Sequence, residues 1–128
     1  MGLYDNDPLG HIGQLQAALF RAVRLVVDSG LHARGWSREQ AISYFVDTLG
    51  EKESVATTEV ERYCVWPGQA CSYMVGKLTI LRLREEARLE LGEKFDLKKF
   101  HDAALLSGSM PLAVLDRAIG DYIAAAKA

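Results

Sequence analysis

Three polar side chains near the start of the chain are spaced as neighbours on one face of a helix. Arg24, Asp28 and His32 follow one another at intervals of four residues, so a continuous helix would align them in a row. A carboxylate beside an imidazole fixes its tautomer and stabilises the imidazolium, which can donate to a developing oxyanion. The alternative is an ion-paired helix face ending in a histidine that the helix dipole favours. Spacing alone favours this second interpretation.

A second group of candidates surrounds a predicted turn further along the chain. Tyr63 and Tyr73 could each donate a phenolic hydrogen bond to a substrate carbonyl, and Arg62 could hold a carboxylate through two hydrogen bonds. The tight turn between them, at residues 67–70, would bring the two tyrosines near each other. The alternative makes the tyrosines core or rim residues and Arg62 part of a surface ion pair. Each residue taken singly favours that alternative.

The other two histidines add no recognisable metal site. His11 follows a glycine at a helix start and His101 lies on a short predicted helix, so neither has a partner at ligand spacing. The sequence also lacks the His-Glu-x-x-His, Gly-x-x-x-x-Gly-Lys-Ser/Thr and Gly-x-Ser-x-Gly motifs. We therefore assign no metal ligand and no cofactor to this chain, and the candidates form part of a site rather than a whole one.

The elements that position these candidates are predicted to be helices, because the chain contains no clear period-two strand. We expect an all-α fold of about six helices packed as an irregular bundle with no sheet. The first helix runs from about His11 to about Gly30. Gly30 and Gly35 bracket a break that leaves His32 in a broken segment or on a frayed last turn. The apolar stripe of this helix is expected at Leu15, Leu19, Ala22 and Val26, broadened by Phe20, Val23 and Val27.

Capping and turn signals bound the remaining helices. Ser37 followed by Gln40 is a capping-box pattern for a second helix that stops at Gly50. Pro67 is expected to open the longest helix, and Asp96 to cap a shorter one. The predicted spans are about 37–49, 54–65, 67–91, 96–106 and 111–125. The buried positions of the third helix are predicted to be Val55, Val60, Tyr63 and Cys64.

Bulk composition bounds the class of protein. The chain has 128 residues, 49% of them hydrophobic and 25% charged, which suits one globular domain over residues 1–128 and argues against a disordered tail. A net charge of -2 without a basic block argues against nucleic acid and an anionic membrane surface as partners. No apolar run approaches the roughly 20 residues that span a bilayer. Cys64 and Cys71 are predicted to be buried reduced thiols, with a disulfide as the alternative.

Several phrases of the sequence resemble one bacterial family along nearly the whole chain. The phrases are Gly2-Leu3-Tyr4, GQL (13–15), FRAVRLVVDSGLH (20–32), GWSREQA (35–41), ERY (61–63), PGQA (67–70), FDL (95–97) and FHD (100–102). In this order they resemble the C-terminal region of the domain-of-unknown-function 885 (DUF885) proteins. Full-length members look like helical zinc metallopeptidases, in which a His-Glu-x-x-x-His-type helix and a later glutamate ligand precede this region.

The resemblance implies a divided site. This chain departs from the family by lacking every residue expected to bind zinc or activate water, so zinc is implied only for the full-length protein. By analogy with the general mechanism, His32, Tyr63 and Tyr73 would stabilise the oxyanion. Asp28, beside Arg24, would orient His32, and Arg62 would grip the substrate.

Two functional hypotheses follow from these observations. The first is the C-terminal helical part of a zinc-dependent peptidase or hydrolase, inactive alone, whose partners are its missing N-terminal metal-binding part and a peptide-like substrate. The second is a non-catalytic helical module for interaction or self-association, including a possible homo-oligomer. No export signal occurs in this segment, so the sequence leaves open whether the protein is cytoplasmic or periplasmic.

Overall fold

Six α-helices and one short 3₁₀ turn make up the protein. The computed structural model describes residues 2–128, and no strand occurs in that range. The elements are α1 (Pro8–Ala33), α2 (Arg38–Leu49), α3 (Glu53–Val65), α4 (Ser72–Leu91), the 3₁₀ turn Gly92–Lys94, α5 (Leu97–Leu105) and α6 (Leu112–Lys127). The prediction of an all-α fold with about six helices is confirmed.

The helices form two compact units, each with its own apolar core. Unit 1 comprises the described residues up to Met74, and unit 2 comprises Val75–Ala128. The core of unit 1 is formed by Val23, Val27, Ala41, Ile42, Phe45, Leu49, Ala56, Val60, Tyr63 and Ala70. The core of unit 2 is formed by Leu83, Ala87, Leu91, Phe100, Leu115, Ile119 and Ile123. The expectation of a single domain over residues 1–128 stays a prediction.

Local capping explains the bounds of α2. The Ser37 hydroxyl accepts a hydrogen bond from the backbone N–H of Gln40 at 3.1 Å, which satisfies one of the free donors at the helix start. The helix ends at Gly50, which adopts a left-handed conformation with φ of +66°. Both signals were predicted from the sequence, and both are confirmed.

The first helix is longer than predicted, and Gly30 is the reason. α1 continues through Ala33 rather than breaking at Gly30. A Cβ placed on Gly30 would lie 2.5 Å from the Cδ2 and Cε3 atoms of Trp36, so glycine here allows the indole to approach the helix rather than ending it. The expected break was wrong, because a glycine signals close packing as well as helix termination. His32 is therefore helical.

The buried face of α1 is only one part of the predicted apolar stripe. Val23 and Val27 are buried, whereas three of the stripe residues, Leu15, Leu19 and Val26, are exposed. Both sets recur at helical spacing, so periodicity could not decide which of them faces α2 and α3. The choice depends on packing with helices distant in sequence.

The longest helix starts later than predicted. Residues 66–71 form a turn and α4 begins at Ser72, so the expectation that Pro67 opens this helix was wrong. Gly68 has a φ of +79°, which a right-handed helix does not contain. Its backbone N–H donates to Asp28 instead of joining a helix. Contacts with α1 therefore replace the first turn that Pro67 could have begun.

Unit 2 has an apolar core and a solvated charged surface. The Asp96 carboxylate caps α5 by accepting from the backbone N–H of Lys98 at 2.8 Å, as the sequence predicted. The side-chain ion pairs of unit 2 are Arg82–Glu86, Arg82–Asp116, Arg88–Glu85 and Lys127–Glu90, all about half exposed. Such pairs contribute little to the free energy of unfolding.

Two further expectations concern cysteines and membranes. Both thiols are free, but Cys64 is exposed and Cys71 is half-buried, so the prediction that both are buried was wrong. Cys64 lies on the outer face of α3, next to the buried Tyr63. Within residues 2–128, none of the helices combines the length and apolar character that crossing a bilayer requires.

Candidate functional site

The three residues of the predicted row lie on one face of an unbroken α1. Because the helix continues through Ala33, Arg24, Asp28 and His32 keep their four-residue register. They do not hydrogen-bond to one another in the described part of the chain. Each is bound instead by a group on α3 or in the turn 66–71. The three side chains therefore hold these two elements against α1.

Arg24 is the most enclosed cation of unit 1. Its guanidinium lies 4.8 Å from the ring centres of both Phe20 and Tyr73, a geometry in which each ring attracts the cation. Its Nη2 donates to Glu59 at 3.0 Å. The Nε atom is buried and has no hydrogen-bond partner among residues 2–128. Arg24 thus holds the Tyr73 ring in place while retaining one unused donor.

Glu59 joins several of the candidates, and sequence reasoning missed it. Three donors share its Oε2 atom: Arg24 Nη2 at 3.0 Å, Arg62 Nη2 at 2.9 Å and Tyr63 Oη at 2.7 Å. Burial raises the pKa of this carboxyl, but the hydrogen bonds from Arg62 and Tyr63 and the charge of Arg24 outweigh burial. The net pKa lies below its usual range. The available signal was local, since Glu59 precedes Arg62 and Tyr63 by three and four residues on α3.

The two tyrosines have different environments. Tyr63 is fully buried, and burial together with its hydrogen bond to Glu59 raises the pKa of its hydroxyl, so the phenol stays neutral and its proton points at the carboxylate. Tyr73 is 45% exposed, and its hydroxyl has no hydrogen-bond partner in the range 2–128. The two tyrosines, which were predicted to lie near each other, are linked through other side chains. Tyr73 contacts Arg24, Arg24 binds Glu59, and Glu59 accepts from Tyr63. Only Tyr73 has a free donor.

Asp28 holds the turn rather than His32. It is 4% exposed, and both of its carboxylate oxygens lie 3.0 Å from the backbone nitrogen of Gly68. Burial, followed by the nearby Asp28 carboxylate, raises the pKa of the Cys71 thiol. The expected hydrogen bond from the His32 ring to the Asp28 carboxylate is absent from the described residues. The Gly68 N–H, forty residues away in sequence, occupies the carboxylate instead.

His32 is anchored through one ring nitrogen. Its Nε2 lies 3.0 Å from the backbone carbonyl oxygen of Tyr63. A carbonyl only accepts, so Nε2 must carry the hydrogen. His32 is otherwise exposed, and its Nδ1 has no partner within the described chain. The neutral ring therefore offers a lone pair at Nδ1, and only the imidazolium can donate from that atom.

Arg62 is already occupied on both sides of its guanidinium. Nη2 binds Glu59, and Nη1 donates to the Gln69 side-chain oxygen at 2.5 Å. The hydrogen bond to Glu59 is the main cause that raises the pKa of Arg62. A ligand carboxylate would have to displace Gln69 to gain a two-point contact. Glu61, which precedes Arg62 in the sequence, pairs with Arg38 on the surface instead.

The surroundings are open, and they contain no metal centre. A depression of about 340 Å³ beside Glu59 is lined by Ser54, Val55, Thr58 and Glu59. Another of about 320 Å³, on α2 and the start of α3, includes none of the predicted site residues. Residues 2–128 contain no group of three or more His, Cys, Asp or Glu side chains that could hold a metal ion. The residues present therefore do not fit zinc.

Comparison with known proteins relates this chain to a bacterial family and to a solved structure. The family model described as "Bacterial protein of unknown function (DUF885)" matches residues 1–119. "The crystal structure of the putative lipoprotein from Colwellia psychrerythraea" is similar over 96% of this chain, with 56% sequence identity and a TM-score of 0.93. The match covers 21% of that chain, so this chain spans about a fifth of its length. No curated protein matches.

Proposed function

This chain belongs to the DUF885 family of bacterial proteins of unknown function, and from that premise we propose that it is the C-terminal helical part of a longer zinc-dependent peptidase or hydrolase. In this proposal it supplies oxyanion-stabilising and substrate-binding side chains. The metal and the attacking water would be held outside this chain, because its own residues do not fit zinc. The partial coverage of the Colwellia protein is compatible with a segment of a longer polypeptide.

One observation carries the proposal: α1 binds side chains from distant segments, and two polar groups beside it have no hydrogen-bond partner within residues 2–128. The free groups are the Tyr73 hydroxyl and the His32 Nδ1 atom. Hydrogen-bond donors that are fixed before the reaction stabilise a developing oxyanion most effectively. The Arg24 guanidinium fixes the Tyr73 ring, and the Tyr63 carbonyl fixes the His32 ring.

The side chains divide the work in this proposal. Tyr73 donates its hydroxyl hydrogen to the oxyanion, and His32 donates from Nδ1 when it is protonated. Tyr63 retains a catalytic role only if its hydroxyl turns from Glu59 to the substrate. Arg62 binds a substrate carboxylate by exchanging Gln69 for it, while Asp28 and Arg24 position the turn and Tyr73. Peptides with a free C-terminal carboxylate are the substrate class that suits Arg62.

The test uses a chimera in which this chain replaces the matching segment of the Colwellia protein. We expect the chimera to bind zinc, to hydrolyse at least one of a panel of peptides with free C-termini, and to lose activity on removal of zinc by a chelator. The chain alone should neither bind stoichiometric zinc nor hydrolyse any of these peptides. A chimera that binds no zinc, or that hydrolyses none of the peptides, would overturn the proposal.

Substitutions in the chimera separate catalysis from folding. Tyr73→Phe and His32→Ala should each lower kcat by about 100-fold, the effect of removing one oxyanion donor, with little change in Tm. Tyr122→Phe is the matched control, because its hydroxyl makes only a long contact of 3.5 Å with a backbone carbonyl in unit 2. Unchanged kcat in both site variants would remove Tyr73 and His32 from the mechanism.

A further inference from the structure

The first half of α1 contains no buried residue in the described part of the chain. All buried residues of α1 lie at or after Val23. Four large apolar side chains in the preceding turns are exposed: Leu9 79%, Ile12 60%, Leu15 55% and Leu19 45%. We call residues 8–19 the projecting half of α1. It extends for roughly 18 Å at 1.5 Å per residue.

The sequence of the projecting half cannot stabilise a helix by itself. An isolated helix shorter than about 12–15 residues is marginal in water even when it is rich in alanine. This segment also contains Gly10 and Gly13, and each glycine costs about 1 kcal/mol relative to alanine in a helix interior. The contacts that support its start are local: the Gly10 N–H donates to the Asp7 side chain at 2.9 Å, the His11 N–H donates to the Asp7 carbonyl at 3.0 Å, and the Tyr4 and His11 rings stack. Because residues 8–19 continue into the packed second half of α1, the helix need not be nucleated here, but contacts from outside this chain would add stability to this segment.

The chemistry of the projecting half identifies the kind of partner. Residues 8–20 contain no Asp, Glu, Lys or Arg, whereas a helix face that meets water is normally charged. Ile12, Leu15 and Leu19 recur at helical spacing and form one face, which Val26 continues. A helix that lies on an anionic membrane surface needs Lys or Arg on its polar face, and this segment has neither. An apolar protein surface fits it better.

We propose that the projecting half of α1 is a docking helix for the remainder of the longer polypeptide, an inference that rests on the proposed function above. The solved Colwellia relative matches 96% of this chain at a TM-score of 0.93, while about four fifths of that relative lies outside the match. The relative thus has both the equivalent of α1 and additional chain to cover it. The occupant is an apolar surface of that additional chain.

The experiment compares two glutamate substitutions, each made both in this chain alone and in the Colwellia chimera. Leu15→Glu introduces a charge on the apolar face, and Gln14→Glu introduces it at a neighbouring exposed position outside that face. In this chain alone, both variants should have a Tm within about 1 °C of the parent. In the Colwellia chimera, Leu15→Glu should lower Tm by at least 5 °C while Gln14→Glu leaves it unchanged. Equal effects in the two contexts would overturn the proposal, and so would no effect in either.

Two further measurements distinguish the other occupants. If a second copy covers the helix, sedimentation will show this chain alone as a dimer that Leu15→Glu makes monomeric. If lipid covers it, this chain alone will bind phosphatidylcholine vesicles in a Leu15-dependent manner. Either result overturns the proposal.

Amide hydrogen exchange supplies a second readout if Leu15→Glu prevents the chimera from folding. Residues 8–19 should exchange at least 100-fold more slowly in the unsubstituted chimera than in this chain alone, and similar rates would overturn the proposal. None of these measurements requires hydrolysis, so failure of the docking proposal and failure of the peptidase proposal can be told apart.

Discussion

The two units of this protein use charged side chains in opposite ways. In unit 1 the charges of Arg24, Asp28 and Glu59 are enclosed between α1, α3 and the turn 66–71, and backbone groups complete the contacts. In unit 2 the ion pairs are half exposed and surround an apolar core. Enclosing charge costs desolvation free energy, and hydrophobic replacements are often at least as stable. The difference directs attention to unit 1 as the part whose polar residues serve more than stability.

The largest change in stability is expected when the Glu59 carboxylate, which binds Arg24, Arg62 and Tyr63, is removed. Glu59→Gln leaves Arg24 and Arg62 without their counterion, so we expect it to lower the free energy of unfolding by about 3 kcal/mol. Glu85→Gln makes the same change in the exposed pair with Arg88 and should leave the urea midpoint unchanged. Urea denaturation of the two variants provides the measurement. Equal shifts would mean that the two units do not differ in this respect.

Glycine substitutions sharpen the same comparison through packing. Gly30→Ala would place a Cβ 2.5 Å from the Trp36 ring, and overpacking of this kind costs about 2 kcal/mol. Gly120→Ala in α6 meets no atom within 4 Å, and alanine should stabilise that helix by about 0.5–1 kcal/mol. Thermal denaturation monitored by circular dichroism should show Tm changes of opposite sign. A rise in Tm for both variants would contradict the close approach of Trp36.

A smaller effect is expected from the contact between Asp28 and the turn. Asp28→Asn removes the charge and one of two acceptors for the Gly68 N–H, which should cost about 1 kcal/mol. In unit 2, Asp96→Asn replaces one good N-cap by another at an exposed helix start, so the midpoint should not change. Chemical denaturation distinguishes the two. If Asp28→Asn left the free energy of unfolding unchanged, the charge of Asp28 would not be what holds the turn.

The smallest expected effect is a pH dependence that belongs to Glu59. Its pKa is lowered in the folded protein, because hydrogen bonds and arginine charges outweigh burial. The resulting stability is present above the ordinary carboxyl pKa of about 4.3 and is lost as pH falls through the lower folded value. The free energy of unfolding should therefore decrease more steeply between about pH 5 and 3 in the parent than in Glu59→Gln. Parallel curves for the two proteins would contradict this assignment.

Much of the fold could be predicted because its signals are local. Ser37, Gly50 and Asp96 each act within one helix turn, and their roles are visible in a few neighbouring residues. Gly30 and Pro67 were misinterpreted because their roles depend on Trp36 and on contacts with α1 rather than on adjacent residues. Local signals therefore failed where a distant contact decided the local conformation.

In the candidate site, too, local spacing could be predicted from the sequence, whereas distant contacts could not. Helical spacing by itself placed Arg24 and Asp28 on one face, because the period of the helix is fixed. It placed His32 there only for a continuous helix, and the structure decided that α1 continues past Gly30. Only the tertiary structure decided their partners, which lie 31 to 40 residues away in Glu59, the Tyr63 carbonyl and the Gly68 N–H. The spacing of residues on one helix does not specify which distant backbone groups meet them. Packing of α1 against α3 and the turn 66–71 makes that choice, and within residues 2–128 it leaves the Tyr73 hydroxyl and the Nδ1 atom of His32 without hydrogen-bond partners.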